Sequence, residues 1–435
     1  FTGRGVTIAM VDAGFYPHVD LVRPLNRIRA VVDLASGTAR VDRFGPSDDP
    51  RWPGWSSGDD SRWHGLMTSA AASGNGFASR GLYRGLAPDA ELVLVGAKDA
   101  HGRITSESIA QALAWLAGRH DDLFLRVVSI SLGGDPAAML ESSAVDDAVA
   151  RLVDSGIVVV AAAGNDGARN IVPPATAPAA VTVGGLDDRN VFDAAERALW
   201  HSSFGATWMG RGKPELVAPS VWVAAPVLPM TDVAREAADL FARRAMGDSA
   251  CESRIAELKL ITPFYQHVEG TSFAAPIVAG IVACMLEAAP GLTPKRVREL
   301  LTLACRRVNA APLERQGAGA IDAGYAVALA LADEPNMSYP AVSEPASGAR
   351  ARLVLHEAGA KDVHVVGSWN EWASSPGQGA SRIAPGLWVA ALPRLAPGKY
   401  GYKFVVDGAR WIEDPVNGRG VSDGFGGTNS TFEVV

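Results

Sequence analysis

The sequence is short of the features that would assign it to a class at a glance. Only three of its 435 residues are cysteine, namely Cys251, Cys284 and Cys305. An odd count permits one disulfide at most and excludes a disulfide-stapled scaffold. Cys284 falls in an apolar helical pattern and reads as a small buried hydrophobe. No apolar run approaches the ~20 residues that span a bilayer. A net charge of −7 and a pI near 5.7 argue against a nucleic-acid partner. Zinc-ligand spacings, a phosphate-cradling glycine loop and internal repeats are all missing, and lysine is scarce beside arginine. The opening Phe1–Gly5 leads straight into a strand-like run, with none of the zones of a signal peptide. A mature or trimmed form is therefore expected.

What is present is ample core material. A hydrophobic content of 48% with 20% charged residues describes a soluble globular protein, and 435 residues exceed one ordinary domain. Short apolar runs alternate with helical patterns. Val6–Val11, Glu91–Ala97, Val127–Gly134 and Gly156–Asn165 read as buried parallel strands. Val181–Gly184 and Leu216–Ala218 read as shorter ones. Ser106–Ala117, Asp146–Asp154 and a stretch after Thr293, with Pro294 at its first position, read as helices. Ala318–Leu331 reads as a last helix. This alternation implies an α/β domain built on a doubly wound, mostly parallel sheet. Arg40–Trp63 is rich in Gly, Pro, Asp and Ser and reads as a loop. Its Trp52, Trp55 and Trp63 serve either surface packing or a cleft wall.

Four polar residues fall at the ends of these elements. Asp12 closes the first strand, where sites gather in open α/β sheets; alone it is equally a turn residue before Gly14. His64 opens a run of small residues, and a lone histidine is more often a surface group than a catalyst. Asn165 ends a core strand and is either a turn residue or an amide donor at the sheet edge. Ser272 lies in Gly270–Gly280, a Gly-Thr-Ser turn leading into an apolar helix. Pro276 is expected within that helix's first turn, where backbone donors lack partners. A serine there is a helix cap or, with its N–H free at the positive helix end, a nucleophile. Acyl transfer needs a hydroxyl nucleophile, a base, a carboxylate to fix the base's tautomer and donors for the oxyanion. The four residues supply that set in the order Asp, His, Ser, which is the order of subtilisin.

With these residues assembled, the chain resembles the subtilisin-like serine proteases, the subtilases, over about residues 1 to 332. The matching stretches are VTIAMVDAGFYPHVDL around Asp12, HGLMTSAAASGNG from His64, SISLGG at Ser129–Gly134, VVVAAAGN ending at Asn165 and GTSFAAPIVAG around Ser272. KPELVAPS and LTPKRVRELL match as well. The resemblance implies that Asp12 orients His64, that His64 is general base and then acid, and that Ser272 is the nucleophile. It implies an oxyanion hole from the Asn165 amide and the Ser272 N–H. Ser131, Leu132 and Gly133 would pair with an extended peptide as an added strand. Ala162, Ala163 and Gly164 would form the opposite wall. Val172, where the family often has Gly, would narrow that pocket. No cofactor is required by the resemblance; structural calcium is frequent in the family, but no calcium loop or other metal site is recognisable here.

Leu66 departs from the family's usual Thr after His-Gly, and an inhibitory propeptide is expected either to have been removed ahead of Phe1 or to be replaced by another form of control. The interval from Pro219 to Ser272 is longer than usual. It carries a helical insertion at about 228–266, read as one charged segment over Asp232–Leu260 that caps the cleft, restricts substrates or binds a partner.

Residues 333–348 are Pro-, Ser- and acid-rich and read as a linker. From 349 to 435 the texture turns to short alternating strands with Gly, Pro, Asn and Asp between them, a small immunoglobulin-like β-sandwich. Four of the eleven tryptophans fall there: Trp369, Trp372, Trp388 and Trp411. A module of this size places one or two in its core and leaves the rest for stacking. VHVVGSWNEW, GLWVAAL, PGKYGYKFVVDGARWIEDP and GGTNSTFEV resemble the glycogen- and starch-binding modules of carbohydrate-binding family 48, found also in beta subunits of AMP-activated protein kinase. The resemblance implies Trp372 and Trp411 stacking on glucose rings, with Lys403 and Asn429 bonding hydroxyls. Ser430 departs from a common Asn.

The reading is a serine endopeptidase with a glucan-binding or docking module. Its expected partners are a peptide substrate and a glycogen- or starch-type glucan or docking protein, with no nucleic acid and no membrane span. Rival readings are a non-catalytic scaffold on a protease fold and an esterase, ligase or processing protease gated by the 228–266 insertion. The family favours export, which sets a secreted or extracytoplasmic expectation; free cysteines and a glycogen-type module would suit a cytoplasm.

Overall fold

The computed structural model describes residues 1–35, 38–48, 60–136, 141–191, 194–309, 311–333, 351–357, 359–373, 379–384, 387–393, 395–396, 398–415, 417 and 420–434. Trp52, Trp55 and most of the expected linker lie outside them. The chain divides into two compact units, residues 1–287 with 293–321, and residues 288–292 with 322–435.

The first unit opens with β1 (Thr7–Asp12), α1 (Val19–Val22), β2 (Ile28–Asp33), β3 (Arg40–Arg43), α2 (Trp63–Ser73) and β4 (Glu91–Gly96). It continues through α3 (Ser106–Ala117), β5 (Leu125–Ile130), α4 (Ala144–Asp154), β6 (Val158–Ala162) and β7 (Val181–Asp187). Short strands β8 (Ala198–Leu199), β9 (Gly205–Ala206) and β10 (Gly212–Lys213) lead to β11 (Leu216–Pro219). Then come β12 (Val223–Pro226), α5 (Asp232–Ala245), α6 (Glu252–Glu257), β13 (Leu260–Thr262) and β14 (Tyr265–Val268). The unit ends with α7 (Thr271–Ala288), α8 (Pro294–Leu303), β15 (Cys305–Arg306), α9 (Leu313–Gln316) and β16 (Ala320–Ile321).

The main sheet runs β15-β16-β11-β7-β6-β5-β1-β4-β2-β3, with β8 on β7. Its central ladders are parallel, while β3, β8 and β15 pair antiparallel, so the sheet is mixed. The central strands are buried on both faces, which explains why they read as continuous apolar runs. Ala9, Val11, Val93, Val95, Val128 and Ile130 pack on one face against Ile109, Leu113, Val145 and Leu152 of α3 and α4. Ile8, Met10, Leu92 and Leu94 alternate to the other face and are equally buried. Each such side chain contributes about 1.5–3 kcal/mol on leaving water. Capping boxes start α3 at Thr105/Ser108 and α4 at Ser143/Asp146, and Thr293 caps α8 ahead of Pro294.

Several local expectations are corrected. Residues 40–63 are not all loop, because β3 adds an antiparallel edge to β2 and α2 already starts at Trp63. The insertion is not one helical segment. It holds α5, α6 and a hairpin, and Val227, Ala237, Leu240, Cys251, Ile255 and Leu260 give it a small core of its own. The last helix, α10, starts at Ala323 rather than Ala318, because Ala320–Ile321 pairs with β11 and β15. Pro276 is the sixth residue of α7, beyond the first turn. Its missing N–H leaves the Ser272 carbonyl unpaired within the helix. The Ser131 hydroxyl donates to that carbonyl instead, at 2.8 Å. By length and composition α7 could cross a membrane, yet 78% of it is buried in the fold as a core helix. None of the three cysteines forms a disulfide. Burial pushes the Cys284 thiol up to about 11, as suits an inert core group.

The second unit contains α10 (Ala323–Asp333) and strands β17 (Ala351–His356), β18 (Val363–Gly367), β19 (Ser381–Ala384), β20 (Leu387–Leu392), β21 (Gly398–Val406), β22 (Arg410–Ile412), β23 (Gly420–Ser422) and β24 (Thr428–Val434). One antiparallel sheet is β17-β20-β19 and the other is β18-β21-β24-β23, with β22 on β21. Leu355, Val363, Val365, Trp388, Ala390, Tyr402, Phe404 and Val406 form one core shared by both sheets.

Candidate active site

The parallel register brings the sequence-predicted residues to one sheet edge. Asp12 is the last residue of β1 and pairs with Gly96 at the end of β4. Ser131 follows the end of β5, and Ala162 ends β6 beside it. The chain thus delivers Asp12, residues 131–133 and residues 162–165 to the carboxyl edge. α2 and α7 bring His64 and Ser272 there from their N-terminal ends.

Asp12 is 1% exposed and fully engaged. Its Oδ1 and Oδ2 lie 2.8 and 2.9 Å from His64 Nδ1. The Ala13 N–H donates to Oδ1 at 2.7 Å and the Thr68 hydroxyl to Oδ2 at 3.0 Å. With Nδ1 donating to a carboxylate, Nε2 is left as the acceptor. Burial lowers the His64 pKa, but the charge and hydrogen bond of Asp12 outweigh it, and the imidazole titrates above its ordinary value. Trp63 stands edge-on to the ring at a centroid distance of 5.2 Å, and Phe273 lies on it at 5.9 Å.

The Ser272 hydroxyl donates to the Ser131 carbonyl at 3.4 Å. Among the described residues no hydrogen bond joins it to His64, a looseness common in uncomplexed sites. The Asn165 amide is oriented by Thr271, whose N–H and hydroxyl both donate to Oδ1, at 3.0 and 2.8 Å. The Thr271 hydroxyl in turn accepts from the Gly164 N–H at 3.1 Å. With its oxygen held this way, the amide turns its NH₂ toward Gly270. A Cβ on Gly270 would sit 3.4 Å from Asn165 Nδ2 and 3.8 Å from the Ser272 nitrogen. Gly270 has φ +137°, a conformation other residues rarely adopt, and its missing side chain leaves the space before both donors open.

Leu132 and Gly133 run on from β5 outside any ladder, with Leu132 half-buried and Gly133 exposed. Val172 Cγ2 lies 3.0 Å from where a Cβ on Gly133 would stand, so Val172 borders this segment. Across from it the Ala163 N–H donates to Val183 and closes the β6 end. Leu66 is fully buried.

Sequence reasoning missed Thr68 and Thr271. Each hydroxyl follows its partner only through the fold, and the one available hint was a threonine one helical turn past His64 or beside Ser272. Trp63 is resolved as a wall beside His64. Among the described residues no group of three or more His, Cys, Asp and Glu side chains gathers to hold a metal.

In the second unit the four predicted contacts share one sheet face. Gly401, Lys403 and Val405 alternate along β21, and Trp411 of β22 pairs with Val405. Trp372 lies over Gly401, 3.6 Å from where its Cβ would be, with Asn429 at 3.7 Å. Trp411 is 49% exposed, whereas Trp369 and Trp388 belong to the core. Lys403 is held by Asp423 at 2.7 Å, a contact that brings the Asp423 carboxyl down to about 2. Phe425, missed from sequence, stands 97% exposed on the same loop as Asp423. Ser430 is buried and accepts from the Asp414 N–H at 2.8 Å, so it serves the core and not this face.

Comparison with known proteins matches residues 3–319 to the family described as the Subtilase family. Residues 352–435 match the family described as the glycogen recognition site of AMP-activated protein kinase. Serine protease AprX of Bacillus subtilis (strain 168) is 31% identical over 336 residues, covering 75% of this chain and 67% of that protein. Subtilisin BL of Lederbergia lenta is 30% identical over 303 residues, covering 69% of this chain and 83% of that protein. A solved protease from Pseudoalteromonas arctica PAMC 21717 superposes with a TM-score of 0.52 at 24% identity, over 76% of this chain and 91% of that one. At that identity the likeness speaks to the fold alone, which is subtilisin-like.

Proposed function

The chain belongs to the subtilase family of serine proteases, and on that premise we propose that Asp12, His64 and Ser272 cleave peptide bonds through an acyl-enzyme. The observation that carries the reading is the double contact of His64 Nδ1 with the buried Asp12 carboxylate. It leaves Nε2 free to take the Ser272 proton and later hand it to the departing amine. The Ser272 N–H and the Asn165 NH₂ are the proposed oxyanion donors, and the open space at Gly270 supports that role. Residues 131–133 and 162–164 are the proposed walls for the acyl side of the substrate.

Such a base works only when neutral. Its raised pKa predicts that kcat/KM for peptide hydrolysis falls on the acid side along a limb centred above the ordinary histidine value of about 6.5. A pH profile on a peptidyl anilide checks this. No hydrolysis, or rates flat through that range, would contradict the base assignment.

The domain division we propose is a protease domain at 1–332, a linker at 333–348 and an immunoglobulin-like module at 349–435. The family matches support it. For the module we propose glucan binding on the face of Trp372, Lys403, Trp411 and Asn429. Two aromatic rings beside an amide and an ammonium suit sugar-ring stacking with hydroxyl contacts. Trp372→Ala is expected to lose retention on an amylose column by about tenfold or more, since one stacked ring contributes on the order of 1–3 kcal/mol in comparable stacking sites. Equal retention of wild type and variant, or none by the wild type, favours a docking role.

A further inference from the structure

β12 and β14 pair antiparallel from Val223↔Val268 to Pro226↔Tyr265. Their apolar faces pack between the two catalytic helices, because Val223, Ala225 and Val268 cluster with Met67 of α2 and Phe273 of α7. The β12–β14 pair is pinned at both ends. At Pro226/Tyr265 the Tyr265 hydroxyl donates to the buried Asp20 carboxylate at 2.6 Å, and just past Val268 Glu269 pairs with Lys259 at 3.2 Å. Beyond Pro226 the chain turns into α5. Thr231 stabilises that turn by donating to the Leu228 carbonyl at 2.8 Å and capping the Ala234 N–H at 3.2 Å.

Between this turn and α2 lies an apolar cavity of about 350 Å³. Trp63 and Met67 form one wall and Val227, Leu228 and Val233 the other, with Gln266 at the β14 side and Thr231 and Asp232 completing the lining. Trp63 and Val233 remain exposed, as does the neighbouring Met230, so apolar surface surrounds an open depression. A volume at the low end of ligand pockets fits one large side chain. Trp63 adjoins His64 in sequence and in ring contact. None of residues 131–133 or 162–164 lines the cavity. It therefore lies on the His64 flank of the cleft, away from the acyl-side walls. A base that protonates the departing amine has the leaving chain on its own flank.

We propose that this insertion-built cavity is a specificity pocket for an apolar side chain of the peptide substrate, on the leaving-group side of the scissile bond. The pocket rests on the reading of His64 and Ser272 as base and nucleophile. Its occupant is a stretch of substrate because the cavity is continuous with the catalytic helix through Trp63 and Met67. Its walls are preformed, held by the insertion's own core and the Tyr265–Asp20 bond.

The test is a set of quenched peptides with one constant acyl side, carrying Gly, Leu, Phe or Asp at each of the first positions after the scissile bond. A peptidyl anilide, which has no residue there, is measured in parallel as the reference for folding and for the catalytic groups. The wild type is expected to prefer Leu or Phe over Gly by about tenfold or more in kcat/KM at one of these positions. Val233→Trp fills the mouth and is expected to bring that ratio near one. Val233→Glu, a substitution suited to the first turn of α5, should do the same by replacing the apolar wall with a second carboxylate beside Asp232. Anilide hydrolysis with no apolar preference at any position, or a preference that survives both substitutions, overturns the pocket. Failure to hydrolyse anilide and peptides alike refutes the proteolytic reading instead, and the pocket with it.

Discussion

Ser272→Ala is expected to abolish peptide cleavage while leaving the fold intact. The Thr271 hydroxyl at the same end of α7 is committed to Asn165, whereas the Ser272 hydroxyl has, among the described residues, only the long 3.4 Å contact to Ser131. Removing it costs the structure little. The neighbouring Ser131 hydroxyl still satisfies the carbonyl that Pro276 cannot reach, since that bond is to the main chain of residue 272. The expected loss is chemical. Loss of the corresponding serine in subtilisin costs about 10⁶ in kcat, and the same scale is carried over to this relative. Single-turnover hydrolysis of a peptidyl anilide, with circular dichroism as the control for folding, measures it. Residual activity within a hundredfold of wild type would remove Ser272 from the mechanism.

Asp12→Asn is the second large effect. The carboxylate accepts from His64 Nδ1, the Ala13 N–H and the Thr68 hydroxyl together. An amide in its place can present an NH₂ to Nδ1, which selects the tautomer whose Nε2 already carries the proton. Such an imidazole cannot accept from Ser272. A loss of about 10⁴ in kcat follows, the scale seen when a serine protease's aspartate becomes asparagine. The substitution also removes the charge that raises the His64 pKa and leaves its desolvation unopposed. The acid limb of the remaining activity therefore moves to lower pH. A pH profile of Asp12→Asn beside the wild type reads both effects. A limb that stays in place would mean that Asp12 does not set the base.

How much of this was legible in the residues varied with the physics behind each feature. Buried parallel strands such as Val158–Ala162 announce themselves as unbroken apolar runs because both faces are covered, and the residues at their ends followed from that. Asp12, His64, Asn165 and Ser272 were legible as a set because Asp12 and Asn165 fall at or just past a strand's end and His64 and Ser272 at a helix's start. Thr68 and Thr271 were not, since a hydroxyl's partner depends on which way a helix face turns. Pro276 misled in a small way. Its place five residues into α7 is tolerable only because Ser131 comes from another strand to meet the freed carbonyl. In the insertion, charged residues across Asp232–Leu260 suggested helix throughout. The strands Leu260–Thr262 and Tyr265–Val268 are too short and mixed to show a period, and they form because β12 offers an edge. In the second unit, Trp388 and Trp372 look alike in sequence. Only the shared core of the two sheets separates the buried ring from the one over Gly401.

The central claim is that Ser272 is a hydroxyl activated by the Asp12–His64 pair. A peptidyl phosphonate that reacts only with activated serines tests it most directly, read by mass spectrometry of the digested protein. The account predicts one adduct per chain, on Ser272, formed more slowly as pH falls through the His64 titration and lost in His64→Ala. An unlabelled wild-type protein, or an adduct on any other residue, would contradict it.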